Sequence, residues 1–290
     1  MSLKEDIVNS MSGYSKALYS TWFYYKPARL LLDAGEGVSC ALQNFIFGIE
    51  RILLSHGHYD HIGGLPGVVH SRASAMGDRE KPLSVIYPKG DPLVAMMQDY
   101  VARSAYEISY DLRWEPLEPG ARIALDGEDS KMFLSPFQVN HARRGLCLGY
   151  NLVEQRQRLK SEYADLSQAE IAQIARQHGR QGLMEPYEKI LLAYGGDSMP
   201  LDPISVRGAE VLMHDATFLD SKDREDPTHA TMEEAFRVAV DAEVSALVLF
   251  HVSSRYRRDA VMENAERLRR QCGFAGPVFV ARSRRIVQVQ

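Results

Sequence analysis

Short apolar runs recur along the whole chain and alternate with segments of helical spacing. The runs are rich in Leu, Val and Ile and are too short for helices, which is typical of buried strands. They lie at residues 28–35, 51–56, 83–88, 132–139, 146–153, 189–196, 210–216, 246–253 and 277–282. Helical patterns fall between them at residues 37–49, 91–105, 231–242 and 257–272. Strands intermixed with helices over the full length predict an α/β fold with layered sheets.

One segment departs from this alternation. Residues 154–188 are polar and charged, and Leu166, Ile171 and Ile174 recur there at helical spacing. The pattern predicts a polar helical insertion in a single domain that spans residues 1–290. The insertion is either a surface helix with a small apolar stripe, or a projection that contacts substrate or a second subunit.

Composition narrows the class of protein. The chain has 290 residues, 45 % of them hydrophobic, and a net charge of −4 with a pI of about 6.2. The chain therefore lacks the overall basic charge that would indicate a nucleic-acid partner, although a local basic patch would suffice to bind one. The cysteines (Cys40, Cys147 and Cys272) stand far apart, which favours a reducing compartment and argues against a cysteine-based zinc site. Neither a signal peptide nor a membrane-spanning stretch is visible, so we expect a cytoplasmic protein without a membrane partner.

A dense histidine cluster follows the apolar run at residues 51–56. The sequence "HGHYDH" holds His56, His58, Asp60 and His61. Alternate residues of an extended segment point the same way, so His56 and His58 can converge on one metal ion. After the chain turns, Asp60 and His61 can face a neighbouring ion, since imidazole and carboxylate are common zinc ligands. The alternative is a set of solvated loop histidines.

Further His and Asp residues stand at the ends of predicted strands, where an α/β sheet presents its functional side chains. These residues are His141, Asp197, His214, Asp215 and His251. One metal site would consist of His56, His58, His141 and Asp197. A second would consist of Asp60, His61 and His251, with Asp197 as a bridge.

Two divalent ions roughly 3.5–4 Å apart suit in-line attack on a phosphodiester. Such ions lower the pKa of a bound water toward ~7, and Asp60 would act as its base or orient it. The ligand set favours two zinc ions per chain, with manganese or iron as alternatives.

Several segments resemble the metallo-β-lactamase superfamily, and within it the ribonuclease Z branch. They are "LLLDAGEG", "LLSHGHYDHIGGLPGVVHSR", "GGDS", "HDATF", "HATMEEA" and "LFHVSSRY", between about residues 28 and 260. The resemblance implies an αββα sandwich, cleavage of precursor tRNA 3′ trailers and a homodimer. It also implies that Asp215 and His229 form a pair that protonates the leaving 3′ oxygen. Otherwise His229 merely precedes a helix.

The resemblance is incomplete where the family contacts tRNA. The family's basic N-terminal segment and the Gly-Pro pair of its arm have no match in this sequence. Ser253, Ser254 and Arg255 follow His251 and can bind a substrate phosphate, or Ser254 can cap the next helix. Two other functions therefore stay open: a phosphodiesterase for small or cyclic diesters, and a metal-stabilised binding protein without turnover.

Overall fold

The computed structural model describes residues 2–74, 81–104, 107–125, 127, 130–141, 145–224, 226–282 and 285–289, without the side chains of residues 178 and 180. The helices are α1 Leu3–Asn9, α2 Val38–Leu42, α3 Tyr59–Ile62, α4 Leu65–Ser74, α5 Pro92–Ser104, α6 Gln168–His178, α7 Met232–Asp241 and α8 Arg258–Cys272. Among the described residues, no helix is both long enough and apolar enough to cross a bilayer.

Two sheets form the centre of the molecule. The six-stranded sheet contains, in spatial order, β1 Met11–Lys16, β2 Ser20–Tyr25, β3 Leu30–Leu32, β4 Arg51–Leu53, β5 Leu83–Pro88 and β6 Leu112–Leu117. The eight-stranded sheet contains β7 Ile123–Ala124, β8 Met132–Val139, β9 Cys147–Leu159, β10 Met184–Tyr194, β11 Val211–Asp215, β12 Leu247–Phe250, β13 Val278–Arg282 and β14 Arg285–Gln288. In this sheet too, neighbouring strands are consecutive in the chain.

The strand sequences explain the layered packing. Leu30 and Leu32 belong to the core between the sheets, whereas Leu31 belongs to the outer core beneath helices α2, α4 and α5. Likewise Met213 faces the inner core, while Leu212 packs under α7 and α8. Because successive side chains point to opposite faces, a continuously apolar strand is buried on both sides. The result is the predicted αββα sandwich, and each fully buried Leu contributes roughly 1.5–3 kcal/mol.

Strand direction brings functional residues to one edge. Strands β10, β11, β12 and β13 pair in parallel, as do β3, β4 and β5. The carboxyl ends of parallel strands meet at the same edge of a sheet. Segments that follow β4, β10, β11 and β12 therefore gather there.

The prediction for residues 154–188 is wrong at both ends. Strands β9 and β10 pair antiparallel out to Leu159 and Met184, so the insertion is a long hairpin. Only α6 and short 3-10 turns at the tip are helical. The outer part of this hairpin is partly or fully exposed on both faces, so its residues show no apolar alternation. A polar sequence without a strand period does not distinguish such exposed strands from a helical insertion.

Candidate metal centre

The first group of metal-binding atoms consists of three imidazoles. His56 and His58 lie in the loop after β4, and His141 follows β8. The Nε2 atom of His56 lies 2.9 Å from Nδ1 of His58, and Nε2 of His141 lies 3.1 Å from that same atom. His56 and His141 are buried, whereas His58 is exposed. These ring nitrogens therefore converge on one point open to substrate.

The second group lies beside it and combines imidazoles with carboxylates. Asp60 and His61 are on α3, Asp197 follows β10, and His251 follows β12. The Oδ2 atom of Asp197 lies 3.2 Å from Nε2 of His61 and 3.1 Å from Nε2 of His251. Asp60 completes the group, with Oδ2 3.3 Å from Nε2 of His251. Asp197 thus stands at its middle.

Four of these histidines are held in place through their other ring nitrogen. An imidazole fixed in this way presents its remaining nitrogen in a set direction, which is usual for metal-binding histidines. The distances from Nδ1 are 3.0 Å for His56 to Oγ of Ser55, 2.7 Å for His61 to Oδ2 of Asp33, 2.8 Å for His141 to the carbonyl of Thr228, and 2.9 Å for His251 to Oγ1 of Thr217.

Asp33 is a residue of the site that the sequence analysis missed. Its buried carboxylate accepts hydrogen bonds from the backbone N–H of Ser55 at 2.7 Å, from the Ser55 hydroxyl at 2.8 Å and from His61 at 2.7 Å. The hydroxyl of Tyr194, on the other sheet, also donates to it. The signal was available, because Asp33 ends the apolar run of "LLLDAG" just as Asp215 and His251 follow theirs.

The donor set fits divalent cations. Within the part of the chain that the structure describes, Nε2 of His61 and Oδ1 of Asp197 are buried without a hydrogen-bond partner. Burial and the neighbouring His61 lower the pKa of His56, which favours the neutral imidazole that binds metals. Burial opposes ionisation of Asp197, but His251 and His61 hold its pKa well below the usual range. A metal ion would satisfy both unpartnered atoms.

Asp215 and His229 form a close pair at the rim of the centre. The Oδ2 atom of Asp215 lies 2.7 Å from Nδ1 of His229. The same carboxylate accepts hydrogen bonds from the backbone N–H groups of Ser198 and Thr217. Burial disfavours the imidazolium, but Asp215 outweighs it and raises the pKa of His229 to about 9. The His229 ring stacks on His251 with centroids 4.9 Å apart, so it adjoins the second group.

His214 lies outside these groups. Its Nδ1 bonds to the carbonyl of Asp215 at 2.7 Å, and its Nε2 accepts from the backbone N–H of Leu201 at 3.2 Å. Both ring nitrogens of His214 are therefore bonded within the fold.

The residues after His251 are arranged differently from the metal-binding residues. Arg255 lies with its guanidinium 5.6 Å from the ring centre of Phe218 and donates to the carbonyl of Asp223 at 3.4 Å. Ser253 and Ser254 line an adjoining cavity. The alternative that Ser254 caps the next helix is wrong, because α8 begins after Arg257.

Comparisons with known proteins agree with this geometry. A family profile described as Beta-lactamase superfamily domain matches residues 28–161. Ribonuclease Z of Halobacterium salinarum is 32 % identical over 274 residues, covering 87 % of this chain and 85 % of that protein. Ribonuclease Z of Saccharolobus solfataricus is 28 % identical over 83 % and 84 % of the two chains.

The crystal structure of human tRNase Z, short form, superposes with a TM-score of 0.65 at 17 % identity, covering 97 % of this chain and 99 % of that one. That likeness shows the same fold. The relative from Halobacterium salinarum, at 32 % identity, shows the family. The chain therefore belongs to the ribonuclease Z family of the metallo-β-lactamase superfamily and is a metal-dependent hydrolase.

Proposed function

We propose that the protein is a two-metal endoribonuclease that removes the 3′ trailer from precursor tRNA. The observation that carries the proposal is the Asp215–His229 pair, which lies beside two convergent groups of metal-binding atoms. A hydrolase that cuts an RNA strand must protonate a departing ribose oxygen, and this pair is suited to that task. The relatives named ribonuclease Z support the choice of substrate.

Two divalent ions would be held by the residues of the two groups. His56, His58 and His141 would bind one, and Asp60, His61 and His251 the other, with Asp197 between them. When bound, such ions lower the pKa of a water molecule toward ~7 and offset charge on the phosphate. Imidazole and carboxylate ligands favour zinc, and manganese or iron are the alternatives.

Asp60 acts on the attacking water by orienting it. Burial opposes ionisation of Asp60, but the hydrogen bond with His251 and the positive charge of neighbouring imidazoles lower its pKa. A carboxylate with a lowered pKa is a weak base but stays charged, so it accepts a hydrogen bond and fixes the direction of attack. Its side chain is 16 % exposed, which leaves it open to the substrate side.

His229 supplies the proton. Asp215 accepts the hydrogen bond from Nδ1, so Nε2 is left for the leaving oxygen. A pKa near 9 keeps the imidazole protonated at neutral pH. The shorter side chain of Asp, where the family has Glu, still reaches His229 at 2.7 Å.

The test is to compare cleavage of a precursor tRNA with hydrolysis of bis(p-nitrophenyl) phosphate by protein of known metal content. We expect a single cut at the 3′ end of the tRNA body, loss of activity with a chelator, and about two ions per chain. Hydrolysis of the small diester alone would refute the tRNA assignment and select the small-diester phosphodiesterase. The homodimer and the cytoplasmic location stay predictions.

A further inference from the structure

A polar cavity lies beside the metal centre, at the same edge of the sandwich. Its volume is about 510 Å³, within the size range of ligand sites. The polar side chains that line it are mainly cations and hydroxyls, namely Lys16, Ser253, Ser254, Arg258, Arg282 and Arg285. No function assigned above uses the four cations.

The cavity is joined to the metal centre through His251. The backbone N–H of His251 donates a hydrogen bond of 2.8 Å to Oγ of Ser15, which also lines the cavity. Ser253 and Ser254 lie two and three residues after His251 in the chain. Because β12 and β13 are parallel, Arg282 at the end of β13 reaches the same edge as His251. A substrate held at the metal centre can therefore extend into the cavity.

The charge in the cavity is unbalanced. In the described part of the chain, none of its four cations forms an ion pair with a carboxylate, and no Asp or Glu lines the cavity. Lys16 lies 4.6 Å from the ring centre of Tyr19, a contact that brings no carboxylate to its ammonium group. Burial and the nearby Arg258 lower the pKa of Arg282, an effect that Asp259 offsets only in part. An anion between these guanidinium groups would relieve their repulsion.

Two arginines on neighbouring helices differ in this respect. On α8 itself, Arg270 pairs with Glu266 at 3.2 Å, and on α7 Arg237 pairs with Glu233 at 2.5 Å. Each of these two arginines thus has a carboxylate partner, which the described structure does not give to the arginines of the cavity. Guanidinium forks and hydroxyls are the groups that proteins use to bind phosphate.

We propose that this cavity binds a backbone phosphate of the RNA substrate that is not the phosphate cleaved at the metal centre. The inference rests on the proposed function, because a polynucleotide supplies a further phosphate whereas a small diester has only one. It explains how a chain with a net charge of −4 can hold RNA close to its site. The local cations replace an overall basic charge.

The test uses a double substitution, Arg258→Gln with Arg285→Gln. The control is Arg270→Gln, which lies on α8 like Arg258. Both substituted arginines are exposed, so the fold should tolerate their loss. The measured quantity is kcat/KM for precursor tRNA divided by kcat/KM for bis(p-nitrophenyl) phosphate. We expect this ratio to fall at least tenfold in the double variant, mainly through KM for the RNA, and to change less than twofold in the control.

Direct binding gives an independent readout. Metal-loaded protein is titrated against a fluorescein-labelled 2′-O-methyl RNA decamer at several salt concentrations. The double variant should bind about tenfold more weakly, and its salt dependence should be shallower by one to two units of slope. Substitution of both arginines by Lys should restore most of the affinity, because the charge is kept.

An unchanged ratio together with unchanged decamer binding would overturn the phosphate site while leaving the proposed function intact. So would an equal loss in the Arg270→Gln control. If wild-type protein cleaves no RNA, the proposed function fails, and the decamer titration alone decides the role of the cavity. In that case, wild-type and double-variant proteins with equal affinity would refute it.

Discussion

Replacing Asp33 by Asn tests how far the metal centre depends on a residue that touches no substrate. The carboxylate accepts four hydrogen bonds, three of them at Oδ2 and one, from the Ser55 backbone, at Oδ1. Asn has only one acceptor oxygen. The best fit keeps that oxygen in the Oδ2 position and points the amide NH₂ at the backbone N–H of Ser55.

The magnitude follows from these bonds. One buried N–H of Ser55 is left without an acceptor, which costs about 1–3 kcal/mol, and the bonds at Oδ2 each lose roughly 1 kcal/mol of charge assistance. Removing a buried charge offsets part of this, so we expect unfolding free energy to fall by about 2–4 kcal/mol. The weakened bond to His61 should lower metal affinity about 10–100-fold, the usual effect of losing a partner of a ligand histidine.

The assay is a competitive titration of metal between the protein and a chromogenic chelator, with denaturant unfolding of the same samples. Tyr194→Phe is the matched control, since it removes a single donor to Asp33 and leaves His61 bonded. It should lower metal affinity much less. If Asp33→Asn binds both ions as tightly as wild-type protein, the carboxylate does not orient His61 and the reasoning is wrong.

Three further predictions follow from the site and its surroundings. Asp60→Ala should lower kcat about 10²–10⁴-fold without altering the circular dichroism spectrum, and full activity would remove Asp60 from the mechanism. His229→Ala should reduce tRNA cleavage by a similar factor but affect bis(p-nitrophenyl) phosphate much less, because nitrophenolate leaves without a proton; equal losses would contradict the acid role of the Asp215–His229 pair. Burial opposes ionisation of Glu234, but the ion pair with Arg224 lowers the pKa of this carboxyl group. The ion pair therefore stabilises the fold fully above the unfolded pKa near 4.5, and this stabilisation is lost as pH falls through the folded pKa. Thermal melts of Glu234→Gln should therefore differ from wild type at pH 7 and converge with it in acid, whereas a constant difference would refute the ion-pair argument.

The sequence predicted most of the strands that are buried on both faces. The runs that contain Leu30–Leu32 and Val211–Asp215 are easy to recognise in the sequence. A strand packed between the other sheet and a helical layer is buried on both faces, so its residues are mostly apolar. Strands β1, β2, β6, β7 and β14 lie outside the predicted runs, and of these β2 is buried at every position. β1 is half exposed and holds Ser and Lys, and β6 is an edge strand with Pro116 and charged residues. Propensity is weak at such positions, and pairing decides the structure.

At the site, the residues of the two groups were predictable because they lie at or shortly after the ends of apolar runs. The groups that hold them were not. Thr217 and Thr228 lie far from their histidines in the chain, and Thr228 acts through its backbone carbonyl, which every residue has. Such partners become visible only in the folded structure. The sequence therefore predicts the candidate ligands but not the groups that hydrogen-bond to them.

The positions of the metal-binding residues also affect how the two sheets stay together. His56, His58, Asp60 and His61 follow a strand of the six-stranded sheet, whereas the remaining ligands follow strands of the eight-stranded sheet. Each bound ion would thus act as a cross-link between the layers, adding about 2.7 kcal/mol to stability at a free concentration one hundred times Kd. Melting temperature should rise with metal occupancy, so cells short of metal would accumulate a looser, more readily degraded form of the protein.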